Sequence, residues 1–274
     1  MMDLALDLGV IKSSGPIPPL PDPVDPPVET DPILAYFQST GADGAYYTPW
    51  DKSSLFQDAE GTIPVVNSGD PVGLILDVSG NNKHFKQTVS SQRGTWQGDH
   101  ILLDGVDDHY RTDVGAFALD GRHIQLWCVV SMVARASWIL GWPPTPTIHQ
   151  GPWGTHGMGC SHAGTNRQEY FVSRGSTVAS TANVPETSGL GLHRADTLQG
   201  IYTINEDPTV TLNRSGTTTY ATPLPLILGA EANVGRLLTG SFYGAVVVID
   251  ANGATGSDRD NITTEIASRG GLTL

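Results

Sequence analysis

Basic residues are scarce in this chain. Its 274 residues hold 15 Lys and Arg against 28 Asp and Glu, a net charge of −13 with histidine neutral, and all four lysines (Lys12, Lys52, Lys83, Lys86) fall in the first third. Phosphate neutralisation requires clustered Lys or Arg, so direct nucleic-acid binding is excluded as an expectation. Cysteine is scarcer still: Cys128 and Cys160 are the only two, too few for a disulfide framework, and Cys128 lies in an apolar run where a buried thiol is ordinary. No apolar run approaches the roughly 20 residues of a membrane span, so membrane insertion is not expected. MMDLALDLGVIK lacks a basic start and a continuous apolar stretch, so no ordinary signal peptide is expected.

Charged residues make up 16%, while Gly reaches 32 and Pro 19. Glycine supplies positive φ and proline interrupts hydrogen-bond ladders, so this balance predicts many turns, few long helices and an all-β domain. In residues 1–14, Leu4, Leu6, Leu8 and Val10 alternate with Asp3, Ala5, Asp7 and Gly9, the period of a half-buried strand. A lone strand is not stable; it is expected either to dock on another component or to join the chain's own sandwich. Residues 15–32 carry eight prolines and are read as a semi-rigid spacer. The globular domain is assigned to 33–274, with strands at His100–Leu103, His109–Thr112, His123–Val133, Ser137–Trp142, Glu169–Ser173, Gly191–Ala195, Gly200–Ile204, Val210–Asn213, Leu226–Leu228 and Ser241–Ile249. Near the C-terminus, SDRDNITTEIASRGG predicts one helix, capped by Ser257 or Asp258, with Ile262 and Ile266 on one face and Gly270 as a left-handed end.

Three segments follow one another in fixed order: Tyr47 to Asp58, Leu76 to His84 (LDVSGNNKH) and Leu103 to Tyr110 (LDGVDDHY). With Pro223 to Asp250, which contains ILGA and SFYGAVVVID, they resemble the concanavalin A-like, laminin-G-type lectin domains of bacteriophage virion proteins. Departures are Thr48, Pro49 and Trp50 in the first segment, Lys83 before His84, and His109 before Tyr110. The resemblance implies a jelly-roll sandwich of two antiparallel sheets, a short C-terminal helix and an extended Pro-rich N-terminal arm. It also implies a fibre on the virion exterior, made in the host cytoplasm, homo-oligomeric, anchored to other virion proteins through its arm and adhering to host surface glycans. A purely structural decoration and a polysaccharide depolymerase are the alternatives.

Candidate chemistry falls in two places. Asp104, Asp107 and Asp108 are the residue types that hold calcium, which needs 6 to 8 oxygen ligands; they also suit a tight turn, with side chains bonded to the local backbone. Gly141 to Gly164 is a long segment with Trp142, His149, Trp153 and His156, flat and polar groups suited to a sugar or, for the tryptophans, to plugging the end of a sandwich. His156, Cys160 and His162 do not follow paired zinc-ligand spacing. Calcium is therefore the one cofactor left open. The carboxylate triplet of sandwich glycosidases is absent, Asp107 and Asp108 would face opposite sides of a strand, and no GxSxG, HExxH or phosphate loop occurs. The chain is accordingly expected not to be an enzyme.

Overall fold

A computed structural model describes residues 31–119, 122–133, 138–142, 156–159, 171–174, 177–179, 189–196, 201–206, 225–230 and 237–274. Residues from Asp31 to Leu274 form one compact unit. The expected strand at Leu4, Leu6, Leu8 and Val10 and the one at Val210–Asn213 lie outside the described residues.

The unit opens with a helix absent from the sequence expectations, α1 (Pro32–Thr40). Asp31 and Pro32, read above as spacer, are its N-cap and first residue. The Asp31 carboxylate accepts the N–H groups of Ile33 (2.8 Å) and Leu34 (3.2 Å), satisfying two donors that lack partners at any helix start, while proline tolerates the position because its missing N–H is not needed there. Gly41, at φ 63°, ends the helix and donates its N–H to Phe37. Ile33, Tyr36 and Phe37 share the buried face.

The strands follow as β1 (Asp43–Tyr47), β2 (Leu55–Phe56), β3 (Leu74–Ile75), β4 (Phe85–Lys86), β5 (Thr95–Trp96), β6 (Ile101–Asp104), β7 (Tyr110–Arg111) and β8 (His123–Met132). Then come β9 (Trp138–Gly141), β10 (His156–Gly159), β11 (Phe171–Arg174), β12 (Thr177–Ala179), β13 (Gly189–Asp196), β14 (Ile201–Ile204), β15 (Ile227–Leu228) and β16 (Thr239–Asp250), before helix α2 (Gly256–Arg269). One sheet runs β14-β13-β8-β16-β6-β5, with β1 also paired to β16; the other runs β12-β11-β10-β9-β15-β7-β4-β3-β2. Every pairing is antiparallel. The all-β, two-sheet expectation stands.

Alternation along β8 and β16 sets the layers. Ile124, Leu126, Cys128, Val130 and Met132 join Ala45, Tyr47, Phe85, Tyr110, Ala245 and Val247 in the core between the sheets. The opposite face of the same strands, Trp127, Val129, Val246 and Val248, packs with Tyr36, Phe37, Ile262 and Ile266 of the two helices. The chain's own helices thus cover the outer side of the first sheet, an arrangement joined by a hydrogen bond from the Trp127 indole N–H to the Thr263 hydroxyl (2.9 Å).

Helix α2 is where the sequence placed it, but its ends differ. Thr255 is the N-cap, not Ser257 or Asp258. Gly270 is not left-handed, at φ −80°; Gly271 takes that role at φ 79°. Glycine is needed at 270 for another reason: a Cβ there would stand 2.4 Å from Val129 Cγ1, so its missing side chain lets the helix end approach β8.

Candidate functional site

The segments that first suggested the fold turn out to be braces. Asp77 accepts the N–H groups of Tyr46 (2.9 Å), Ser79 (2.9 Å) and Lys83 (3.0 Å), and His84 Nδ1 accepts the N–H of Asp77 (3.0 Å). The Tyr47 hydroxyl donates to the Lys83 carbonyl (2.6 Å), and Lys83 forms an ion pair with Asp43. Asp and Asn here close turn backbones that would otherwise be buried without partners.

The acidic turn is different because it stands at the rim. It joins β6 of one sheet to β7 of the other. Asp104 lies opposite Thr239, whose carbonyl accepts the N–H of Val133 just past β8. Gly229, just past β15, sits against the Asp108 carbonyl and donates its N–H to Ile139 of β9. Three connections therefore meet at one end of the sandwich, around the carboxylates. Asp104 accepts the N–H of Val106 (2.8 Å), and Asp108 Oδ2 accepts the N–H of Asp104 (3.0 Å). Asp107 and Asp108 do not face opposite sides as expected, because the chain is still turning and β7 begins only at Tyr110. One carboxylate oxygen from each of Asp104, Asp107 and Asp108 lies within 4.8 Å of the others.

Burial pushes the Asp108 carboxyl up to about 6, and the negative charges of Asp104 and Asp107 add to that push; the backbone N–H of Asp104 opposes it. His109, next along the chain, directs Nδ1 at the Asp107 carbonyl (2.8 Å). A carbonyl can only accept, so the Nδ1 proton lies on that side. Burial lowers the basicity of this ring.

A raised carboxyl makes a stability prediction. Between the unfolded value of 3.8 and about 6, the folded protein keeps a proton that the unfolded chain has shed, so stability falls as pH rises through that window. Asp108→Asn removes the charge yet keeps an acceptor for the Asp104 N–H. Thermal denaturation at pH 7 is expected to show the variant melting a few degrees higher, by about 4 °C for each kcal/mol gained, with the advantage gone below pH 4. A variant that melts lower at pH 7 would refute this account.

Of the other candidate residues, the described Trp142 and His156 are not brought to this rim. Trp142 is fully buried, with its ring edge-on to Phe117 at 5.5 Å, a position that plugs the core and offers no face to a sugar. His156 opens β10 and pairs with Val172 of β11. His149 and Trp153 lie outside the described residues, as do Cys160 and His162.

With the sheets and rim in place, the class is an all-β sandwich of two antiparallel sheets. A GH54 α-L-arabinofuranosidase soaked with a cyclic sulfate inhibitor matches with a TM-score of 0.54 and 12% identity, over 88% of this chain and 65% of that one. A glutamate-to-glutamine mutant of a GH54 α-L-arabinofuranosidase, soaked with 4-nitrophenyl α-L-arabinofuranoside, matches at 0.51 and 11%, over the same shares. A Trypanosoma rangeli sialidase in complex with 2,3-difluorosialic acid is more distant, with a TM-score of 0.49 and 13% identity over 84% of this chain and 33% of that one. The chain thus spans just under two thirds of the two arabinofuranosidase structures. No family model matches the sequence, and no curated protein does. At these identities the likeness is one of fold. The expectations of a virion adhesin and of a chain without catalysis are corrected on this ground: the two GH54 structures that share this fold are of carbohydrate-active enzymes.

Proposed function

We propose that this protein is a polysaccharide depolymerase, a glycoside hydrolase built on a concanavalin A-like, jelly-roll form of the sandwich. The observation that carries the proposal is the closeness of the Asp104, Asp107 and Asp108 carboxylates at the rim, supported by the fold shared with GH54 enzymes. Cleaving a glycosidic bond takes one carboxyl that holds a proton and one that is ionised. Asp108, with its affinity for a proton raised by burial, is the donor to the leaving oxygen. Asp107 is the nucleophile, since among the described residues its carboxylate accepts no hydrogen bond. Its oxygen bonds to the anomeric carbon as the glycosidic bond breaks; water then displaces it, giving a proton back to Asp108. The short spacing suits this double displacement, which uses carboxyls about 5–5.5 Å apart, and not direct attack by water, which needs roughly 6.5–9.5 Å. Val106 and Val133 stand exposed at the same end and offer apolar contact to a sugar ring.

Reducing-end release from arabinan, arabinoxylan and acidic polysaccharides tests this. Asp107→Asn and Asp108→Asn are each expected to slow release by about 10²- to 10⁴-fold while the fold is kept. Unchanged release by either variant, or none from the parent protein, would remove the hydrolase reading.

Calcium is a second reading of the same closeness, for three carboxylates and nearby carbonyls supply part of the 6 to 8 oxygens it needs. Calorimetric heat on adding calcium and a melting shift with a chelator are its signature; the absence of both dismisses the ion.

A further inference from the structure

The outer side of the second sheet carries a row of residues held in register across six strands. Phe56 is opposite Leu74, Leu74 opposite Lys86, Lys86 opposite Arg111, Arg111 opposite Ile227 and Ile227 opposite Gly141. Their chain neighbours Leu55, Ile75, Phe85, Tyr110, Leu228 and Leu140 all belong to the core between the sheets, so strand alternation puts this row on the outer side, where Leu74 and Ile227 are covered and Phe56, Lys86 and Arg111 stay partly exposed.

Two cations stand side by side at its centre, and like charges directly opposite on paired strands are destabilising. Lys86 is compensated: its Nζ lies 3.0 and 3.2 Å from the Asp113 carboxylate oxygens. Arg111 is not. Its side chain is half-buried, its Nε is shielded from solvent with no hydrogen-bond partner, and among the described residues its guanidinium enters no ion pair. In a chain of net charge −13, carboxylates are plentiful, yet among the described residues the one beside this pair, Asp113, is taken by Lys86 and none pairs with Arg111. A partly desolvated guanidinium without an acceptor is costly, and its planar fork is matched to a carboxylate or a sulfate.

We propose that Arg111 is an anion-recognition subsite, so that a saccharide bound beside it carries a carboxylate or sulfate group. The inference rests on the depolymerase reading for its ligand class and names the substrate: an acidic polysaccharide. Asp108 precedes Arg111 by three residues along the chain, so their Cα atoms stand at most about 11 Å apart even with the chain fully extended, and one oligosaccharide reaches from the carboxylate rim to the guanidinium. The bound anion also screens the repulsion between Lys86 and Arg111.

Affinity electrophoresis of the full chain, in gels containing polygalacturonate, dextran sulfate or neutral arabinan, tests the subsite. The protein is expected to be retarded by at least one of the acidic polymers. Retardation by polygalacturonate alone assigns a carboxylate, by dextran sulfate alone a sulfate, and by both an anion without further selection. Arg111→Gln should weaken the interaction by about tenfold or more, the scale of a charge-assisted pair, with a melting temperature no lower than the parent's. Arg111→Lys, which keeps the charge and loses the fork, should fall between the two and carries the test if the glutamine variant does not fold. No retardation by either acidic polymer, equal retardation by arabinan, or an Arg111→Gln variant that binds as the parent does would overturn the proposal. The two readings fail separately: Arg111-dependent binding without reducing-end release leaves the subsite and removes the hydrolase, whereas cleavage of a neutral polymer indifferent to Arg111 does the reverse.

Discussion

Trp127→Ala is expected to destabilise the protein by about 3–5 kcal/mol, the scale for emptying a buried aromatic site, which is a large part of a typical domain's total stability. Trp127 is fully buried on β8 and packs with both helices on the outer side of the first sheet. Its loss leaves a cavity and also removes the hydrogen bond to Thr263. Thr263 is not stranded by the change, because its hydroxyl still donates to the Arg259 carbonyl (2.8 Å), so the cost is one of packing more than of an unmade bond. Chemical denaturation should show a lower midpoint. Trp127→Phe, which keeps most of the ring volume, should recover more than half of the loss. A loss below about 1 kcal/mol, ordinary for a surface substitution, would mean that the helices do not depend on this contact.

The second large effect is acid sensitivity set by His193. This residue sits on β13 opposite Cys128, is fully buried, and has Nδ1 2.5 Å from the Tyr202 hydroxyl. Burial lowers its value from 6.5 to about 3, because a charged imidazolium would lose its hydration there. The unfolded chain takes up a proton as pH falls below 6.5 while the folded chain does not until about 3. The stability contributed is therefore complete above 6.5 and is lost progressively as pH falls toward 3. The full loss is on the order of 5 kcal/mol. Carboxylates titrate in the same window, so the informative quantity is a difference between proteins. The stability of the parent chain minus that of His193→Gln should fall with decreasing pH between 6.5 and 3. A difference that stays flat with pH would exclude His193 as the source.

Periodicity carried much of the fold. The alternation in His123–Met132 and the apolar run within Thr239–Asp250 mark two central strands, since one face is buried between the sheets and the other under the helices. Helix α1 was hidden because Asp31 and Pro32 are the types found in extended proline-rich chain as well as at a helix start, and only the Asp31 contact with the Ile33 and Leu34 N–H groups separates the two. Gly270 shows the same limit. A glycine needed for positive φ and one needed for close approach to Val129 are the same letter.

The candidate site was partly legible. Asp104, Asp107 and Asp108 were recognisable as a cluster, but assigning Asp107 and Asp108 to opposite faces assumed a strand that does not begin until Tyr110. Trp142 drew attention by its size, and size is also what fills a core. Arg111 carried no local signal at all. Its interest comes from the cross-strand position of Lys86 and from the pairing of Lys86 with Asp113, relations that bring together residues 25 and 27 positions apart, and no spacing rule in the sequence announces them.

The placement of α1 and α2 on one side of the sandwich has an architectural consequence. The unit begins at the Asp31 cap of α1 and closes just after α2, where Leu272 packs into the same helical layer. The first and last elements of the folded unit thus lie on the side of the sandwich opposite the Lys86 and Arg111 row.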